Sequence, residues 1–137
     1  MTIVDAAVWI DYFKGHNTPA TQHLHDLLGV ELVVMADLIL AQVLQHFRDL
    51  SDQLTAQRAL AVIPVIDVGG EHIAKRSSEY VRRLVQAGHP ADHTLSSLIA
   101  TFCIEHQYPL LFADHVYQPF VQHLGLKRSA HATGQAA

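Results

Sequence analysis

The chain has 137 residues, 50% of them hydrophobic and 16% charged, with a formal net charge of −4. That length and composition argue for one globular domain with a buried core and exclude a disordered chain. The acidic balance argues against a broad basic face for nucleic acid, and no apolar run approaches the length of a bilayer span.

The N-terminal run MTIVDAAVWIDYF lacks a preceding basic region and carries Asp5 inside its apolar stretch. It does not read as a signal peptide. A lone cysteine, Cys103, cannot form an internal disulfide, and a reducing cytoplasm is expected. Eleven histidines are scattered rather than contiguous, unlike a purification tag, and they make the charge rise as pH falls. Lys75, Arg76, Arg82 and Arg83 recur at helical spacing and read as a solvated helix face before a phosphate track.

In chain order, TIVD (Thr2 to Asp5) is a short apolar, β-branched run that predicts a buried strand ending in Asp5. AAVWIDYFKG follows with Val8, Trp9 and Phe13 at helical period and Gly15 as terminator. NTPATQHLHDLLG offers Thr18 as N-cap, Pro19 at the first helical position and Gly29 as stop. ELVVM predicts a second buried strand, and ADLILAQVLQHF a helix with Asp37 near its start. DQLTAQRALAVI continues helical until Pro64, and PVIDV predicts a third strand before Gly69 and Gly70. EHIAKRSSEYVRRLVQAG is an amphipathic helix with acid at its start, base towards its end and Gly88 after it, as the helix dipole favours. HPADHTLSSLIATFCIEHQ predicts another helix, PLLFAD a fourth strand and QPFVQHLGL a short last helix. KRSAHATGQAA, residues 127–137, reads as a flexible tail after a domain spanning 1–126. Strands alternating with helices predict a three-layer α/β/α domain around a parallel sheet.

In an open parallel sheet, chemistry gathers outside the carboxyl ends of the strands. Asp5 and Asp114 both stand at such ends. Each could simply cap the next helix. Two acids on strands that could be neighbours instead suggest a divalent-cation site, because hard cations such as Mg²⁺ prefer carboxylate oxygen.

The blocks IVDAAVWIDYF, DLILAQVLQHFRD, LSSLIATFCIEHQYPLLFAD and QPFVQHLGL, in that order from Thr2 to Leu126, resemble PIN-domain proteins. They are most similar to the VapC toxins of bacterial toxin–antitoxin pairs. The resemblance implies a Mg²⁺- or Mn²⁺-dependent endoribonuclease acting on RNA, a homodimer, and inhibition by a VapB-like antitoxin. It also implies a cluster of acids as metal ligands and catalytic groups. Asp5 and Asp114 match the first and last. Gln42 stands where the pattern LAEVL has glutamate, Ser96 where it has the aspartate two residues before LIA, and Val116 where a DRDF pattern has a further acid.

Gln42 and Ser96 carry no charge and cannot serve as bases, so cation affinity should fall steeply. Two aspartates are too few to hold the two ions of a symmetric phosphodiester clamp. Asp37, Asp92, His46, His93 and His115 lie near these blocks as candidate substitutes, although no recognised ligand spacing links them, and imidazoles would shift preference towards Mn²⁺, Zn²⁺ or Ni²⁺. Ser96 or Ser97 as a covalent nucleophile lacks any elbow context. Trp9, Phe13, Phe47, Phe102 and Phe120 read as core, Cys103 as an inert buried thiol, and Arg48, Arg82 and Arg83 as helix decoration or RNA contacts. Two readings follow: a VapC-like toxin with weak or absent turnover, or a catalytically inactive PIN-domain module that binds a second copy, an antitoxin or RNA.

Overall fold

A computed structural model describes residues 1–90 and 93–130. Among them, four parallel strands form one sheet in the order β3-β2-β1-β4. The strands are β1 (Thr2–Val4), β2 (Val33–Ala36), β3 (Val65–Ile66) and β4 (Leu110–Leu111). Ile3 pairs with Val34 on one side and with Leu110 on the other, which makes β1 a central strand. Every residue of β1 and β2 is buried, as a parallel strand covered on both faces requires. Ile3 and Val4 are wholly withdrawn from water, and each such side chain contributes about 1.5–3 kcal/mol by transfer.

The helices are α1 (Ala6–Phe13), α2 (Pro19–Leu27), α3 (Asp37–His46), α4 (Leu50–Leu60), α5 (Glu71–Gln86), α6 (Thr94–His106) and α7 (Gln118–Leu124). They pack in two groups: α1 against α2 and α3, with α4 on α3, and α5 against α6 and α7. The predicted mixed α/β architecture with a central parallel sheet is what the chain adopts. No helix among the described residues is long and apolar enough to cross a membrane.

Local signals set the element boundaries. Thr18 opens α2 with a reciprocal capping pair, its hydroxyl accepting from the Thr21 amide at 3.1 Å, and Pro19 follows at a position that needs no donor. Gly125, at φ +82°, closes α7. The second strand starts two residues later than expected. Glu31 and Leu32 are exposed, with the Glu31 carboxylate taking the Thr2 hydroxyl and the Leu32 carbonyl accepting the Thr2 amide. PVIDV and PLLFAD shrink to two-residue strands because they lie at the two edges of the sheet. Lys127 to Ser129, placed by the sequence in a flexible tail, run beside β4 instead. The Leu110 amide donates to the Lys127 carbonyl at 2.9 Å, and the Ser129 amide to the Leu110 carbonyl at 3.0 Å. The rest of the expected tail, 131–137, lies outside the described residues.

Candidate active site at the rim of the sheet

Asp5 is the first residue beyond β1 and the N-cap of α1. Its amide donates to the Leu111 carbonyl at 2.9 Å, which ties it to the end of β4. The same edge strand leads through Phe112 and Ala113 to Asp114, so the topology brings both acids to one rim. Asp5 is 6% exposed, whereas Asp114 is exposed and accepts the Val116 amide at 3.0 Å, capping a 3-10 turn over His115–Tyr117.

That turn delivers the group the sequence reading missed. Tyr117 is 1% exposed, and its hydroxyl donates to Asp5 Oδ1 at 2.7 Å. Burial pushes the Asp5 carboxyl above the usual carboxylate range. The Tyr117 bond and the Ala6 and Ala7 amides pull it back in part, and the nearby Asp114 charge pushes it up again. The Ala6 and Ala7 amides lean towards the carboxylate without closing a capping hydrogen bond. Burial, then the Asp5 charge and the bond to it, raises the Tyr117 phenol in turn, so its proton stays on the tyrosine. Ser96, half-buried in the first turn of α6, stands close enough to the Tyr117 hydroxyl to hold that rise down.

The other predicted positions fall differently. Gln42 lies on α3, the helix packed against α1, and its Oε1 is buried without a hydrogen-bond partner among the described residues. Trp9 Nε1, on α1, is buried in the same condition. Such groups are costly, about 1–3 kcal/mol each. Val116 brings no ligand side chain; its amide serves Asp114. Ser97 donates its hydroxyl to the His93 carbonyl within its own helix at 2.9 Å.

The candidate substitutes do not complete the cluster. Asp37 Oδ1 accepts the Leu38 and Val68 amides at 2.9 and 3.1 Å, so it fastens the loop after β3 to the start of α3. His46 is exposed with its ring edge-on to Phe47. His93 and His115 are exposed and line a cleft of about 350 Å³ with Asp114 and Ser97. Asp92 lies outside the described residues. Among the described residues, no three His, Cys, Asp or Glu side chains come together to hold a metal.

A Mg²⁺ or Mn²⁺ ion needs anionic oxygens to replace lost water. Here burial raises the carboxyl of the first acid above its ordinary range, that acid already has a hydroxyl donor, and the second acid caps a turn. Gln42 and Ser96, the other two positions that the sequence resemblance points to, are neutral. This donor set does not fit a tightly held divalent ion.

No protein-family model matches the chain, and no curated protein matches it in sequence. The fold is nevertheless similar to that of solved structures. One is a crystal structure of VapBC2 from Rickettsia felis bound to a DNA fragment from their promoter. It superposes with a TM-score of 0.73 at 14% identity, covering 93% of this chain and 96% of that one. Another is a 2.2 Å structure of VapBC-1 from nontypeable Haemophilus influenzae, with a TM-score of 0.68 at 15% identity, covering 94% and 96%. The fold is PIN-like. In that PIN-like frame, the rim where β1 and β4 end carries a tyrosine–aspartate pair.

Proposed function

We propose that this chain is a VapC-like toxin-family protein whose nuclease centre is closed, leaving a PIN-like module that works by binding. The observation that carries this reading is the 2.7 Å bond from the buried Tyr117 hydroxyl to Asp5 Oδ1. It puts a neutral donor against the acid that a metal-dependent nuclease would use for its ion. Asp5 and Asp114 remain as the site acids, and Gln42 and Ser96 are neutral members that neither attract a cation nor take a proton from water. In this reading the partners are a second copy of the chain and a VapB-like antitoxin, recognised by surfaces that need no intact acid cluster.

A second reading rests on one specific observation: β1 and β4 are paired parallel strands, and Asp5 and Asp114 follow their carboxyl ends, so the two acids share a rim. A single Mg²⁺ or Mn²⁺ held loosely between them would support slow endoribonuclease turnover. Incubating the protein with structured RNA in Mn²⁺ or Mg²⁺, beside Asp5→Asn, separates the two. The closed-site reading expects the same background in both proteins. Cleavage by the parent that disappears in Asp5→Asn overturns it. Binding is tested by co-expression with a candidate antitoxin and by light scattering for the dimer.

A further inference from the structure

Across the gap between α5 and α7 two imidazoles meet. His89 follows α5, with its amide bonded to the Leu84 carbonyl at 2.8 Å and Gly88 before it at φ +89°. Pro90 follows and limits its backbone further. His123 sits on α7, a helix opened by Pro119 and closed by Gly125. Both rings therefore hang from pinned backbone. Their Nε2 atoms are 3.0 Å apart, their centroids 4.8 Å apart, and their planes inclined at 51°.

Two arrangements can bring two Nε2 atoms this close. One is an N–H···N hydrogen bond between a ring protonated at Nε2 and one protonated at Nδ1. Such bonds prefer to be straight, which would put the centroids about 5.3 Å apart at this nitrogen separation. The other is shared ligation of one ion. With imidazole–metal bonds of about 2.05 Å, a 3.0 Å nitrogen separation subtends roughly 95° at the ion and puts the centroids about 4.7 Å apart. The observed 4.8 Å is met by the shared geometry and equally by a hydrogen bond with a tilted acceptor ring, so both Nε2 atoms lie within reach of one ion. An angle near 90° is the cis angle of tetragonal sites, which Cu²⁺ and Ni²⁺ favour, and imidazole ranks these ions above Mg²⁺ and Mn²⁺.

We propose that His89 and His123 form a bidentate site for a late first-row transition dication, Cu²⁺ or Ni²⁺, which staples α7 to the end of α5. Water completes the coordination, since no third protein ligand converges among the described residues. His89 lines the same cleft as Asp114, His93 and His115, so the staple borders the Asp5–Asp114 rim while differing from it in its two ligands and its metal preference. Its structural effect reaches that rim, because α7 continues directly from the turn that carries Tyr117. An ion that binds the folded chain and not the unfolded one raises its melting temperature by mass action.

The test uses untagged protein at pH 7.5. Ni²⁺ is titrated by calorimetry into the parent, His89→Gln, His123→Gln, the double variant and His46→Gln, and each is melted with and without the ion. The tightest site should weaken at least about tenfold in either single variant. The double variant should lose little more, because removing one arm already ends chelation. His46→Gln should bind as the parent does. Cu²⁺ electron paramagnetic resonance on the parent gives a readout that needs no variant: hyperfine splitting from two imidazole nitrogens is expected. A tight site indifferent to both substitutions, a parent that binds neither ion, or a spectrum with fewer than two imidazole nitrogens overturns the proposal. In each of those outcomes the pair is a hydrogen bond only.

Discussion

Replacing Tyr117 by Phe removes one oxygen from the interior and leaves the ring in place, packed on Phe112 with centroids 5.2 Å apart. What disappears is the 2.7 Å donation to Asp5 Oδ1. A hydrogen bond to a charged acceptor contributes about 1.5–3 kcal/mol net, and one to a neutral acceptor about 0.5–1.5 kcal/mol. Which figure applies depends on the Asp5 proton. Burial raises the Asp5 carboxyl, and the tyrosine bond is the foremost influence pulling it back down. Tyr117→Phe must therefore raise it further. The native-state advantage of the tyrosine is largest where Asp5 is ionised, at high pH. It shrinks as pH falls through the native Asp5 pKa, which lies above the ordinary value of 3.8. Near pH 8 the loss should be about 2 kcal/mol, or roughly 6–10 °C in Tm for a chain of this size. Circular-dichroism melts of parent and variant at pH 5 and pH 8 measure it. A difference under about 1 °C at pH 8, or a larger loss at pH 5 than at pH 8, would refute the reasoning.

The reversion Gln42→Glu with Ser96→Asp should lower Tm in EDTA, because packed carboxylates repel one another, and Mn²⁺ should restore part of the loss. An equal or higher melting temperature without metal would mean the neutral residues relieve nothing. Asp5→Asn retains an acceptor for Tyr117 but cannot ionise. Asp5 holds its proton in the folded state where the unfolded chain has lost it, so the parent loses stability as pH rises from about 4 through the native pKa. The melting advantage of Asp5→Asn should therefore widen over that range and then level off, and a gap that narrows would show the opposite shift. Burial pushes the Cys103 thiol up to about 12 from 9.0. Its thiolate fraction at neutral pH should be about a thousandfold lower than that of an unperturbed thiol. Disulfide-reagent labelling should track unfolding, and fast labelling of the native protein would contradict the burial.

The sheet was legible wherever burial on both faces left a continuous apolar run, as in Thr2–Val4 and Val33–Ala36. The helix ends were legible where a residue type has a single local use, as with Thr18, Pro19 and Gly88. Strand length at the sheet edges was not. Val65 and Ile66 pair on one side only, and no pattern within PVIDV says where pairing stops. Lys127 to Ser129 read as tail because small and polar residues carry no periodicity. Their pairing with Leu110 is made by backbone, and the His23–Ser129 side-chain bond at 3.0 Å spans 106 residues. Asp5 and Asp114 could be found because each ends an apolar run. Tyr117 could not be singled out by local spacing, since its partner lies 112 residues away. The one available signal was the phenolic oxygen in DHVY, where the DRDF pattern carries a phenylalanine.

That oxygen changes what Asp5 demands of its surroundings. A buried carboxylate needs compensation, and a cation supplies it with charge, leaving the acid ionised. A phenol supplies a dipole and keeps its proton, so it offsets only part of the burial cost. The rest appears as the upward shift of the Asp5 carboxyl, with Asp114 adding to it across the rim. The neutral Ser96 beside the phenol does not add to that charge. A full acid cluster would couple folding to metal, because the ion would bind the native state alone. In this chain the Asp5 carboxyl takes its side-chain hydrogen bond from Tyr117 within the polypeptide. The pairing of a PIN-like fold with a tyrosine on the first acid is thus self-consistent. In the closed-site reading, it gives up the charge density that would hold a divalent ion at the β1–β4 rim.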